Sequence, residues 1–151
     1  MINNIKPILK EGKKIISIVY NNILDVDTIF NGNNFVCILI VNSSIFVPPK
    51  IVSWILKSKC KYLYIYGQNA EKIENLIDHE HISQYENFNI PNEDDIITMA
   101  IKNESLSEVL FMAFNFASFQ DKSLDNILIL QIEKTFSFVE IDNAIKNTKV
   151  I

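Results

Sequence analysis

Residues Phe35 to Val41 read Phe-Val-Cys-Ile-Leu-Ile-Val. The run holds no charge, and no polar residue recurs at helical spacing. A strand covered on one face alternates between apolar and polar residues; a strand covered on both faces does not. The run therefore predicts the first buried strand of a parallel sheet, and the rest of the chain is read for elements that cover it.

Pro48-Pro49 open a helix, because proline is tolerated at the first helical position. Ile51, Trp54, Ile55 and Ser58 follow at i, i+3, i+4 and i+7, and Cys60-Lys61 close it. Tyr62 to Tyr66 alternates tyrosine with Leu63 and Ile65, which gives a strand with one aromatic face. After Gly67, Asn69 is placed to cap a helix with Ala70, Ile73, Leu76 and Ile77 on its dry side. Ile82 to Asp95 is a polar loop, and Ile96 to Ile101 is a third strand. Ser105 and Glu108 have capping-box spacing and start a helix from Leu106 to about Phe119. Asp121 to Asp125 is a loop, and Ile127 to Leu130 is a fourth, central strand. Phe136, Phe138, Val139 and Ile141 alternate as a short extra strand, with a terminal helical turn at Ala144–Lys149. The N-terminal part carries a strand at Ile15–Tyr20, a helical turn or packed loop at Ile23–Phe30, and a turn at Asn31-Gly32-Asn33-Asn34. Strands and helices joined by short connections predict right-handed parallel crossover units. The expected fold is one α/β domain over residues 1–151. It has three layers and is Rossmann-like, with a mostly parallel sheet of four to five strands and helices on both faces. Residues 1–31 form an N-terminal segment, and 134–151 form a tail that packs on the domain.

The chain has 151 residues, enough for one domain with a real core. It contains no arginine; all 14 cationic side chains are lysine, and the net charge is −4. Arginine is the preferred side chain for bidentate phosphate recognition, and nucleic-acid binders concentrate positive charge. Nucleic acid is therefore not an expected partner. Neither G-x-G-x-x-G nor G-x-x-x-x-G-K-[ST] occurs among three isolated glycines. Cys37 and Cys60 belong to apolar stretches and read as reduced core residues, not a disulfide framework. Met1-Ile2-Asn3-Asn4-Ile5-Lys6 lacks the form of a signal peptide, and no run of ~20 apolar residues can span a membrane. The expectation is a cytoplasmic protein that is not associated with membranes.

Several stretches together resemble an uncharacterised family of small bacterial proteins, a domain of unknown function. They are Phe35-Val36-Cys37, Ser53-Trp54-Ile55-Leu56, Cys60-Lys61-Tyr62, Tyr66-Gly67, Thr98, and Glu104-Ser105-Leu106 with Glu108. The resemblance covers roughly Gly32 to Glu133. Members of that family carry a Trp-Gly-x-Asp-Cys element after the second strand and Thr-Thr-Trp-His on the third. An acidic stretch and a Ser-Leu helix start follow. This chain has Tyr66-Gly67-Gln68-Asn69-Ala70 and Thr98-Met99-Ala100-Ile101 instead. If the family's Asp, Cys and His perform chemistry, their places are taken by Asn69, Ala70 and Ile101. An alanine is no nucleophile and an isoleucine carries no proton. The resemblance implies either that the family site is structural or that this member keeps a scaffold without its chemistry.

Candidate sites follow from position. In an open α/β sheet, ligands bind at the carboxyl ends of strands. The loops expected there offer Asn42, Ser43, Gln68, Asn69, Lys102, Glu104 and Ser105 as ligand-binding residues; loop and cap residues are commonly polar in any case. His79-Glu80-His81 places two rings at i and i+2 of a helix end, where they diverge, so no metal is expected. Glu93-Asp94-Asp95 reads as a solvated acidic loop. Phe111, Met112 and Phe119 lie off the main stripe of the Leu106 helix. A helix apolar nearly all round is covered on both sides, so these three are an expected interface, buried by a partner, a second copy or the tail. No catalytic constellation and no cofactor is expected. The expected function is non-catalytic partner binding, of the immunity or antitoxin kind in bacterial conflict systems. The first alternative is a small-molecule-binding domain or divergent enzyme, with its site at the strand ends; a third reading is a self-associating structural protein.

Overall fold

The computed structural model describes residues 6–20, 29–42 and 47–151. Six strands form the main sheet: β1 (Ile8–Lys10), β2 (Lys13–Val19), β3 (Phe35–Ile40), β4 (Cys60–Tyr66), β5 (Ile97–Ile101) and β8 (Asn126–Gln131). They lie in the order β1-β2-β8-β3-β4-β5. Only β1 is antiparallel to its neighbour; the other five are parallel. The sheet thus has one strand more than the upper expected count. The addition is β1, too short and too mixed to carry a periodic signal. A left-handed Glu11 and Gly12 turn it tightly into β2.

Every residue of β3 is buried, and β8 and β4 flank it. Alternate β3 side chains enter two separate cores. Phe35, Cys37, Leu39 and Val41 join one core with Trp54 and Ile55 of α1 (Pro49–Lys57) and Ile73 and Ile77 of α2 (Ala70–Ser83). Val36, Ile38 and Ile40 join the other with Val109 and Leu110 of α3 (Leu106–Asn115) and Ile141 and Ile145 of α4 (Phe138–Asn147). The aromatic face of β4 belongs to this second core, where Tyr62 and Tyr64 stack at 4.8 Å. None of the described helices is long and apolar enough to cross a membrane.

Three local expectations are corrected. The Leu106 helix ends at Asn115, short of Phe119. The Asn115 amide turns back to the Phe111 carbonyl at 3.0 Å, and a two-stranded hairpin follows, β6 (Ser118–Phe119) and β7 (Lys122–Ser123). Its central Gln120 and Asp121 both have positive φ, the conformation that a two-residue hairpin loop requires. Residues 138–147 are helix, not strand plus a terminal turn, because Ser137 and Glu140 form a second capping box and Ile141 and Ile145 then face inward. Cys60 and Lys61 begin β4, and a register shift there marks a bulge. The expected helical turn at Ile23–Phe30 falls mostly outside the described residues.

Candidate functional site

Strand order reverses between β8 and β3. Their carboxyl ends, with those of β4 and β5, frame a cleft of about 210 Å³. Asn42, Gln68 and Glu104, three of the expected ligand residues, line it, together with Tyr66, Asn103, Thr135 and Phe136. No lysine is among its lining residues. Lys102 and Asn69 are not lining residues either, and Ser43 lies outside the described residues. Asn69 stands at the N-cap position of α2 without a side-chain cap bond. Ser105 caps α3 instead: its hydroxyl accepts from the Glu108 amide at 3.2 Å, and its own amide donates to Glu108 Oε2 at 2.8 Å.

Two residues shape this cleft. Gly67 has φ +149, and a Cβ there would stand 1.9 Å from the Val41 carbonyl oxygen. The ends of β3 and β4 approach so closely that no larger residue fits. Gln131 is fully buried at the end of β8. Its Oε1 accepts from the Thr135 and Phe136 amides at 2.9 and 2.8 Å, and its Nε2 donates to the Phe136 carbonyl at 3.1 Å. That holds the Phe136 ring parallel to Tyr66, 6.4 Å away. Tyr66 donates to the Glu104 carbonyl at 2.5 Å. Burial, then Glu108 and Glu104, raise its pKa, so it remains a neutral donor. Gln131 carries one sequence signal: an amide that closes the apolar run Ile127–Leu130.

Glu104 also borders a second, shallower surface of about 530 Å³ along α3. Phe111, Met112 and Phe116 line it, with Glu108 at one end and Lys149 in the C-terminal tail. Phe111 and Met112 are half-buried, whereas Phe116 is 56% exposed. The rings of Phe111 and Phe116 meet edge to face at 5.7 Å. Asn115 ties the tail alongside: it donates to the Lys149 carbonyl at 2.9 Å and accepts from the Ile151 amide at 2.9 Å. Phe119 lies elsewhere, half-buried against the second core with the Lys61 ammonium 4.9 Å from its ring centre. Of the three expected interface residues, Phe111 and Met112 share the groove and Phe119 does not. Phe116, in place of Phe119, is the exposed aromatic. The neighbouring carboxylates of Glu104 and Glu108 act on each other, which raises the pKa of Glu104 and lowers that of Glu108.

His79 is exposed and His81 buried, so the two rings diverge. No group of three metal-ligating side chains occurs among the described residues. A family model described as a domain of unknown function (DUF7684) matches residues 21–148. The chain belongs to this family. The match extends the resemblance noted from Gly32 to Glu133 towards both ends of the chain. No curated protein and no solved structure matches the chain.

Proposed function

We propose that this member of the DUF7684 family is a non-catalytic partner-binding protein, of the immunity or antitoxin kind used in bacterial conflict, acting in the cytoplasm. We read its scaffold as a three-layer, Rossmann-like domain and its working surface as the groove between α3 and the C-terminal tail. The observation that carries this reading is Phe116. A large aromatic side chain stands exposed beside two half-buried apolar ones, and aromatic anchors of this kind dominate protein interfaces. The carboxylates of Glu104 and Glu108 at one end suit a partner segment that sets a cation beside an apolar side chain. The net charge of −4 favours approach of a basic partner. The free, buried Cys37 and Cys60 suit a reducing compartment.

The test is site-specific photo-crosslinking in the native cell from position 116, with Leu76 on α2 as control, followed by reconstitution with the purified partner. Phe116→Asp is expected to cost at least ~2 kcal/mol of binding. A partner that cross-links equally from position 76, or binds Phe116→Asp as tightly as the parent, removes this reading.

The convergence of Asn42, Gln68 and Glu104 on the strand-end cleft favours a second reading, a small neutral or cationic polar ligand. A thermal shift with such a compound that is lost in Asn42→Ala would support it. An unchanged Tm across amino acids, polyols and polyamines would count against it.

A further inference from the structure

The two edges of the sheet are built differently. At one edge, β1 is three residues long and ends on Lys10, whose ammonium donates to the Ile145 and Lys146 carbonyls at the end of α4. Short, lysine-bearing edges resist pairing. At the other edge, β5 reads Ile-Thr-Met-Ala-Ile, with no charge, glycine or proline. The Gly67 amide donates to the Ile101 carbonyl at 3.1 Å, so the backbone of Ile101 faces β4. By alternation, Met99 and Ile97 do the same, and Thr98 and Ala100 turn their backbone groups outward. Among the described residues, those groups have no hydrogen-bond partner. Ile97 and Met99 are also 45% and 38% exposed.

We propose that this edge pairs with β5 of a second copy of the chain, antiparallel about a two-fold axis at Met99. In that register, Thr98 lies opposite Ala100 of the second copy, and the two exchange both backbone hydrogen bonds, twice over by symmetry. Met99 meets its own counterpart in the intervening non-bonded pair, and Ile97 faces Ile101. The charges flanking the strand select this direction. Glu93, Asp94 and Asp95 precede β5 and Lys102 follows it, so antiparallel pairing brings each acidic turn to the other copy's lysine. A parallel partner would set acid against acid. The occupant is therefore a second copy, because the strand complements itself in hydrogen bonding, apolar contact and charge. The pairing joins two six-stranded sheets into one. It does not depend on the function proposed above.

The experiment measures the mass of the full chain by sedimentation equilibrium over a concentration series. The expected mass is that of two 17.4 kDa chains. Met99→Lys sets like charges on the axis, and Ala100→Pro removes an outward amide that the monomer does not use; both are expected to give one-chain mass. Leu9→Lys, at the other edge, is expected to leave the dimer intact, and Lys102→Glu to weaken it. The register has its own readout. Opposed Cα atoms of a non-bonded pair stand ~4.5 Å apart, within disulfide range. Met99→Cys should therefore oxidise to a covalent dimer, whereas Ile97→Cys should not. One-chain mass at every soluble concentration overturns the proposal. So does a dimer that survives both Met99→Lys and Ala100→Pro, and so does a folded Met99→Cys protein that gives no disulfide.

Discussion

Single residues decide the geometry of the strand-end cleft. Gly67→Ala would drive a Cβ into the Val41 carbonyl at a φ that L-residues avoid. It is expected to cost at least ~2 kcal/mol, measured by urea denaturation. Gln131→Leu would leave the Thr135 and Phe136 amides without acceptors. A loss of ~1–3 kcal/mol is expected, with the Tyr66–Phe136 stack loosened. His81 is buried, and burial lowers its pKa against the opposing pull of Asp95, Asp78 and Asp94. Its folded value thus lies below the unfolded ~6.5, so the unfolded chain takes up the proton first. The stability tied to neutral His81 is present above ~6.5 and is lost as pH falls through the folded value. The urea midpoint should therefore drop between pH ~7.5 and ~5.5, and drop less in His81→Phe. An equal drop in both proteins would show that carboxylates, not this ring, set the acid limit. At this scale the site was half legible. Loop position alone places Asn42, Gln68 and Glu104 beside the cleft, whereas it gives no sign of Tyr66 and Phe136. A stacked pair 70 positions apart in the chain leaves no local pattern.

Elements were legible where burial removed ambiguity. The runs in β3 and β8 are continuously apolar because both faces are covered, and their short length and flanking polar turns favour strand over helix. The capping box at Ser105 is legible in the spacing of Ser105 and Glu108. The equivalent signal at Ser137 and Glu140 was masked by the alternating Phe136, Phe138 and Ile141, which mimic a strand over a few residues. Ser137→Ala is expected to cost ~1 kcal/mol, as Ser105→Ala should in α3, with amide exchange faster in the first turn of each helix. Asn115 sets the end of α3 and holds the tail at once. In Asn115→Ala, amide exchange should quicken at residues 149–151 while α4, packed through Ile141 and Ile145, stays protected.

At the scale of the molecule, the two cores share β2, β3, β4 and β8, so they are expected to unfold together. Trp54 reports on the first core, and Tyr62 and Tyr64 report on the second. Tryptophan fluorescence and near-ultraviolet tyrosine ellipticity should give coincident urea transitions, and separated midpoints would divide the domain into two cooperative units. The shared strands also carry both thiols. Cys37 and Cys60 are fully buried; burial raises the pKa of both, Cys60 to about 12. A thiol reagent in neutral buffer meets neither a thiolate nor a path to one while the sheet is closed. The rate at which the two cysteines become labelled is therefore a clock for opening of the sheet centre. It can be read by mass in a crude extract, where no spectroscopic probe of this one protein would work.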